Sequence, residues 1–113
     1  SYYFYDSFEE AVEFSQSIPA DKVYVTNKVS GSYLEVLFFL KEDPRVFYDT
    51  VEYVNEKEEF RKAISYGKYH FGIPSKKQGG AVYIVENASE LQEFQNGQFQ
   101  IKRFRYYSVV WKQ

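Results

Sequence analysis

Residues 81–86 read Ala-Val-Tyr-Ile-Val-Glu, an apolar and β-branched run that is typical of a strand buried on both faces of a sheet. Residues 22–26 read Lys-Val-Tyr-Val-Thr and follow the same pattern. Segments with helical spacing lie beside these runs. Strands that alternate with helices predict an α/β domain whose first half winds as a parallel sheet.

A helix is predicted ahead of the first buried strand. Ser7 and Glu10 have the spacing of a capping box, and Pro19 ends the helix. One face of this helix carries the apolar side chains Phe8, Ala11, Val12, Phe14 and Ile18. The aromatic run Tyr2–Tyr5 before it reads as a short strand.

The middle of the chain adds further elements. Ser32 and Glu35 form a second capping box, followed by an apolar helix over Tyr33–Leu40. Thr50–Val54 alternates as a strand does. Later strands are predicted at Phe60–Tyr66, Tyr69–Ile73, Phe99–Phe104 and Tyr106–Trp111, with Gly67 between the first two and a short helix capped by Ser89 before the third. We therefore expect a three-layer, Rossmann-like mixed sheet, parallel in its first half with antiparallel strands added.

Composition bounds the class of protein. The 113 residues suit one domain, and a hydrophobic fraction of 44% supports a packed core. A net charge of −2 disfavours nucleic acid as a partner. The chain has no cysteine and one histidine, so disulfides and thiolate metal sites are excluded and a Ser/His/Asp triad would have to use His70.

Catalytic motifs are absent from the sequence. No D-x-D, G-x-G-x-x-G or P-loop occurs, and the carboxylate pairs fall on charged faces where their burial is not expected. We expect no catalytic residue, no metal and no cofactor in this chain.

Two candidate sites remain. Open α/β sheets bind ligands at the carboxyl ends of strands, which places Asn27, Ser30, Ser32 and Asn87 at one edge. Capping and turn formation explain the same residue types without any ligand. The second site comprises the terminal aromatic residues Tyr106, Tyr107 and Trp111, which could contact glycan or anionic lipid, or belong to an amphipathic edge hairpin.

Several stretches together resemble a known family. They are S-F-E-E-A-V-E-F, K-V-Y-V-T-N, Y-L-E-V-L-F-F-L, F-R-K-A-I-S-Y-G-K-Y-H-F-G and A-V-Y-I-V-E-N, within Phe4–Asn87. This run resembles the soluble C-terminal tail of bacterial membrane glycosyltransferases similar to protein O-mannosyltransferases and lipid A aminoarabinose transferases. The shared feature is an order of strands and helices, and no catalytic motif is part of it.

The resemblance implies a location and partners. Residues 1–113 would be a single soluble domain, cut from a larger membrane protein, on the extracytoplasmic face of the bacterial cell membrane. Its partners would be the membrane-embedded remainder of the same polypeptide and a glycan or polyprenyl-phosphate sugar, and its role would be non-catalytic. The alternative is a free-standing regulatory domain that binds a small ligand or a nucleotide.

Overall fold

The computed structural model describes residues 2–29, 52–54 and 62–112 of the chain. Helix α1 spans Tyr2–Ser15, and a 3₁₀ helix spans Leu91–Phe94. The strands are β1 (Lys22–Val25), β2 (Glu52–Val54), β3 (Lys62–Tyr66), β4 (Tyr69–Phe71), β5 (Ala81–Glu86), β6 (Gln100–Arg103) and β7 (Tyr107–Trp111). The predicted mixed α/β class is confirmed.

The strands form one mixed sheet in the order β2-β3-β4-β1-β5-β7-β6. Strand β1 lies between β4 and β5 and is parallel to both, with Val25 in register with Phe71 on one side and Ile84 on the other. The remaining pairs are antiparallel. The two runs that read as buried strands are therefore neighbours at the centre of the sheet.

The central strands of the sheet are buried on both faces. Alternate residues of β5 point to opposite sides, so Val82 and Ile84 join one cluster while Tyr83 and Val85 join the other. Helix α1 covers the first face with Phe8, Ala11 and Val12. The 3₁₀ helix covers the second face with Leu91 and Phe94.

The predicted strand at Tyr2–Tyr5 is wrong, because these residues form the first turn of α1. The predicted capping box is wrong for the same reason, since Ser7 lies inside the helix. Its buried Oγ accepts a hydrogen bond of 2.9 Å from the Tyr106 N–H. Ser7 thus joins α1 to the segment before β7 rather than starting the helix.

Most later elements match the sequence pattern. The strands on either side of Gly67 form a hairpin, and this glycine has a φ of 54°, which glycine adopts more readily than other residues. Ser89 does not cap the short helix, because Glu90 occupies that position and the Ser89 hydroxyl donates to Glu86 instead. The predicted helix at Tyr33–Leu40 and its capping box lie outside the described residues.

Across residues 2–29, 52–54 and 62–112, no helix combines the length and the hydrophobicity that crossing a bilayer requires.

Candidate functional site: a cleft at the carboxyl edge of the sheet

A cleft of about 440 Å³ opens where β5 ends. Because β1 and β4 run parallel to β5, their carboxyl ends share this edge, and antiparallel β7 begins there, with Glu86 in register with Tyr107. The first turn of α1 contributes the remaining wall. The cleft is lined by Phe4, Glu86, Asn87, Ala88, Arg105 and Tyr106.

One wall of the cleft is aromatic. The ring centroids of Phe4 and Tyr106 are 4.2 Å apart, and their planes are tilted by 32°. Phe4 nevertheless keeps 42% of its surface exposed. The Arg105 guanidinium lies 4.8 Å from the Tyr3 ring centroid and 5.2 Å from that of Tyr106, within the range of cation–π attraction. Through their shared contact with Tyr106, the exposed Phe4 ring and the Arg105 guanidinium lie beside each other.

The opposite wall is the turn that follows β5. Ser89 donates a hydrogen bond of 2.6 Å to Oε1 of Glu86. The Glu86 N–H donates to Oε1 of the buried Glu90 at 2.8 Å, and the Glu90 N–H donates back to the Glu86 carbonyl at 2.9 Å. These bonds close the turn and orient the Glu86 carboxylate at the cleft.

Asn87 lies in the cleft, but its amide group is engaged within the protein. Nδ2 donates to the Phe104 carbonyl at 2.9 Å and to the Arg105 carbonyl at 3.4 Å, while Oδ1 accepts from the Ser108 hydroxyl at 2.5 Å. The side chain therefore ties the end of β5 to the segment between β6 and β7. Asn87 positions Arg105 and Tyr106, and its amide hydrogens are not available to a ligand.

The structure brings two of the candidate residues, Asn87 and Tyr106, into one cleft. Asn27 lies exposed at the same edge, beside Gly72, but it does not line the cleft. Ser30 and Ser32 lie outside the described residues. The cleft residues that the sequence analysis missed are Phe4, Glu86, Ala88 and Arg105.

The other two terminal aromatic residues do not share this cleft. Tyr107 is 4% exposed and packs edge-on against Phe8, with ring centroids 5.2 Å apart. Trp111 lies at the far end of β7 and packs against Phe14. Tyr107 is therefore a core residue under α1, which corrects its assignment to a ligand surface. Trp111 is partly buried and packs against the same core, away from the cleft that Tyr106 lines.

Burial raises the pKa of Tyr107 above its ordinary value of 10.0, and the nearby charges of Glu86, Tyr5 and Glu90 raise it further. As the pH rises, the Tyr107 hydroxyl therefore loses its proton in the unfolded chain before it does so in the folded one. The contribution of Tyr107 to the free energy of unfolding should be fully present below pH 10 and be lost as the pH rises through the folded-state pKa. We expect Tyr107→Phe to make the fall in the urea midpoint between about pH 9 and 11 shallower. Tyr3→Phe, at an exposed ring, is the control for removing a hydroxyl. An equal slope in wild type and Tyr107→Phe would contradict this assignment.

The described part of the chain contains few other groupings of chemically active side chains. Among residues 2–29, 52–54 and 62–112, no cluster of three or more His, Asp or Glu side chains could hold a metal ion. His70 is half-buried, and its ring centroid lies 5.5 Å from that of Tyr24. A smaller hollow of about 210 Å³ lies at the opposite edge, around Asp21, Lys22 and Gln78–Ala81. The cleft at the end of β5 is therefore the candidate functional site.

The comparisons with known proteins do not add a family: no protein-family model, no curated protein and no solved structure matches this chain.

Proposed function

We propose that this chain is a non-catalytic, extracytoplasmic accessory domain of a bacterial membrane glycosyltransferase that uses a polyprenyl-phosphate sugar. In this proposal the cleft contacts the glycan, the acceptor or the lipid head group. The membrane-embedded remainder of the same polypeptide is the partner, and the domain lies on the outer face of the cell membrane. The sequence resemblance within Phe4–Asn87 supplies the enzyme class.

The observation that carries the proposal is the make-up of the cleft. An exposed aromatic ring, Phe4, lies beside the hydrogen-bonding groups of Glu86 and Arg105. Such a set holds a ligand that has both apolar and polar surface. The carboxylates of Glu86 and Glu90 both accept hydrogen bonds that close the turn after β5. This structural role fits ligand binding better than acid or base catalysis.

For the fold, we propose the three-layer, Rossmann-like arrangement. It is supported by the burial of both faces at the centre of the sheet and by the parallel pairing of β1 with β4 and β5. A free-standing regulator that binds a small ligand or a nucleotide is the alternative, because ligands of open α/β sheets also bind at this edge.

Two observations test the proposed function. The purified chain, incubated with a polyprenyl-phosphate hexose and an acceptor peptide, should release no sugar and form no glycopeptide, and turnover by the chain alone would overturn the proposal. The reading frame upstream of Ser1 should encode several hydrophobic spans. An intact gene that starts at this domain and lacks such spans would favour the free-standing regulator.

A further inference from the structure

The charges of the cleft limit what it can bind. Glu86 and Arg105 are its two ionisable side chains of opposite sign, so they sum to no net charge. Oε1 of Glu86 is bonded by Ser89, while Oε2 has no hydrogen bond to any described residue. The exposed Arg105 guanidinium contacts aromatic faces, and it forms no ion pair with the described part of the chain. The cleft therefore offers acceptors on one side and donors on the other.

The third element of the cleft is the ring of Phe4. Burial of an aromatic side chain lowers the free energy of the folded chain, yet 42% of the Phe4 surface stays exposed. Its contact with Tyr106 at 4.2 Å restricts its orientation. An exposed ring that is held in one orientation can stack on the apolar face of a ligand with little loss of conformational entropy.

Three ligand classes fit this combination poorly. An anion would face the Glu86 carboxylate, and a cation would face the Arg105 guanidinium. A wholly apolar ligand would remove water from both charges without replacing their hydrogen bonds. An uncharged polyol ring has hydroxyl groups that both donate and accept, and one of its faces is formed by C–H groups. A volume of about 440 Å³ is in the range of small-molecule sites.

We infer that this cleft binds a neutral pyranose, with the C–H face of the sugar stacked on Phe4 and its hydroxyls bonded to Glu86 and Arg105. The inference rests on the proposed function for its assignment to a glycan, and it narrows that glycan to an uncharged sugar unit. Asn87 and Tyr106 act as positioning residues. The Asn87 amide holds the Arg105 carbonyl in place, and the Tyr106 ring supports Phe4.

An NMR titration of the whole 113-residue chain tests the inference. The probes are the methyl glycosides of glucose, mannose and galactose, with glucuronate and glucosamine as charged counterparts. At least one neutral glycoside should shift the backbone amides of residues 86–88 and 104–106, and it should bind more tightly than either charged sugar. Phe4→Ala should weaken this binding about tenfold, and Phe4→Trp should retain it.

A matched pair of variants tests the polar contacts. Arg105→Ala should weaken glycoside binding several-fold. Arg103→Ala removes another exposed arginine, from β6 and outside the cleft, and should leave binding unchanged. Retained folding of each variant is checked by its amide spectrum.

Four results would overturn the inference. The first two are that no neutral glycoside shifts the cleft amides, or that a charged sugar binds more tightly than any neutral one. The other two are that Phe4→Ala binds glycoside as wild type does, or that phosphatidylcholine vesicles without any glycoside shift the signals of Phe4.

These failures are distinguishable from failure of the proposed function. If the chain binds glycosides but its gene encodes no membrane spans upstream, the sugar site stands and the glycosyltransferase proposal fails. If such spans are encoded and no glycoside binds, the sugar site fails and the glycosyltransferase proposal stands.

Discussion

Phe8→Ala is expected to lower the free energy of unfolding by about 3–5 kcal/mol. The Phe8 ring is completely buried, between the sheet and α1, and packs against Tyr107. Its removal leaves a cavity at the contact that holds the only described α-helix on the sheet. Urea denaturation of wild type and variant measures the difference, and Phe8→Leu, which keeps most of the volume, should cost less than about 1.5 kcal/mol.

Phe4→Ala is the matched control, because Phe4 lies one turn earlier on the same helix. Its side chain is partly exposed, and among the described residues its one ring contact is with Tyr106, so its removal should cost about 1 kcal/mol. If the two alanine variants were equally destabilised, the interpretation of Phe4 as a ring held for a ligand would be wrong. Phe4 would then contribute to the core as Phe8 does.

The centre of the sheet could be predicted from the sequence because its signal is local. Residues 22–25 and 81–86 have apolar side chains at both odd and even positions, and only a strand covered on both faces needs that. The start of α1 was misjudged although its signal was also local. Phe4, Phe8, Ala11 and Ser15 continue one helical stripe. The strand prediction follows the β propensity of the aromatic residues at positions 2–5. In the described part of the chain these residues pair with no strand, and the helical periodicity decides their structure.

The cleft could be predicted only in part, because it joins three segments that are far apart in sequence. The rule that ligands bind at the carboxyl ends of strands predicts Asn87 as a site residue, and the aromatic C-terminal residues predict Tyr106. Nothing near Phe4 in the sequence indicates that α1 begins beside β7. The sequence pattern predicts Glu86 only as the last residue of a strand. The orientation of its carboxylate toward the cleft depends on the turn that Ser89 and Glu90 close.

The role of Asn87 is the part that sequence reasoning could least supply, because its partners are 17, 18 and 21 residues away. Asn87→Ala is expected to destabilise the domain by about 2 kcal/mol, since it leaves the buried Ser108 hydroxyl and the Phe104 carbonyl without their partner. Asn96→Ala is the control: among the described residues, this exposed asparagine accepts a side-chain hydrogen bond only from the nearby Gln98 N–H, so its loss should cost less than about 1 kcal/mol.

A double-mutant cycle of Asn87→Ala with Ser108→Ala separates the Asn87–Ser108 hydrogen bond from the bonds that Asn87 makes to the Phe104 and Arg105 carbonyls. If the Asn87–Ser108 bond holds, the two alanine variants should be less costly together than the sum of their separate effects, by about 1 kcal/mol. Additive effects would show that the amide acts through the carbonyls of Phe104 and Arg105 alone. In either case Asn87→Ala frees the segment that carries Arg105 and Tyr106, so faster amide hydrogen exchange at residues 104–106 should accompany the loss of stability. Unchanged exchange there would mean that the remaining bonds hold this segment without the Asn87 side chain. These bonds are the Ser7 Oγ contact with the Tyr106 N–H and the backbone bonds from the Asn87 N–H to the Tyr106 carbonyl and from the Phe104 N–H to the Tyr107 carbonyl.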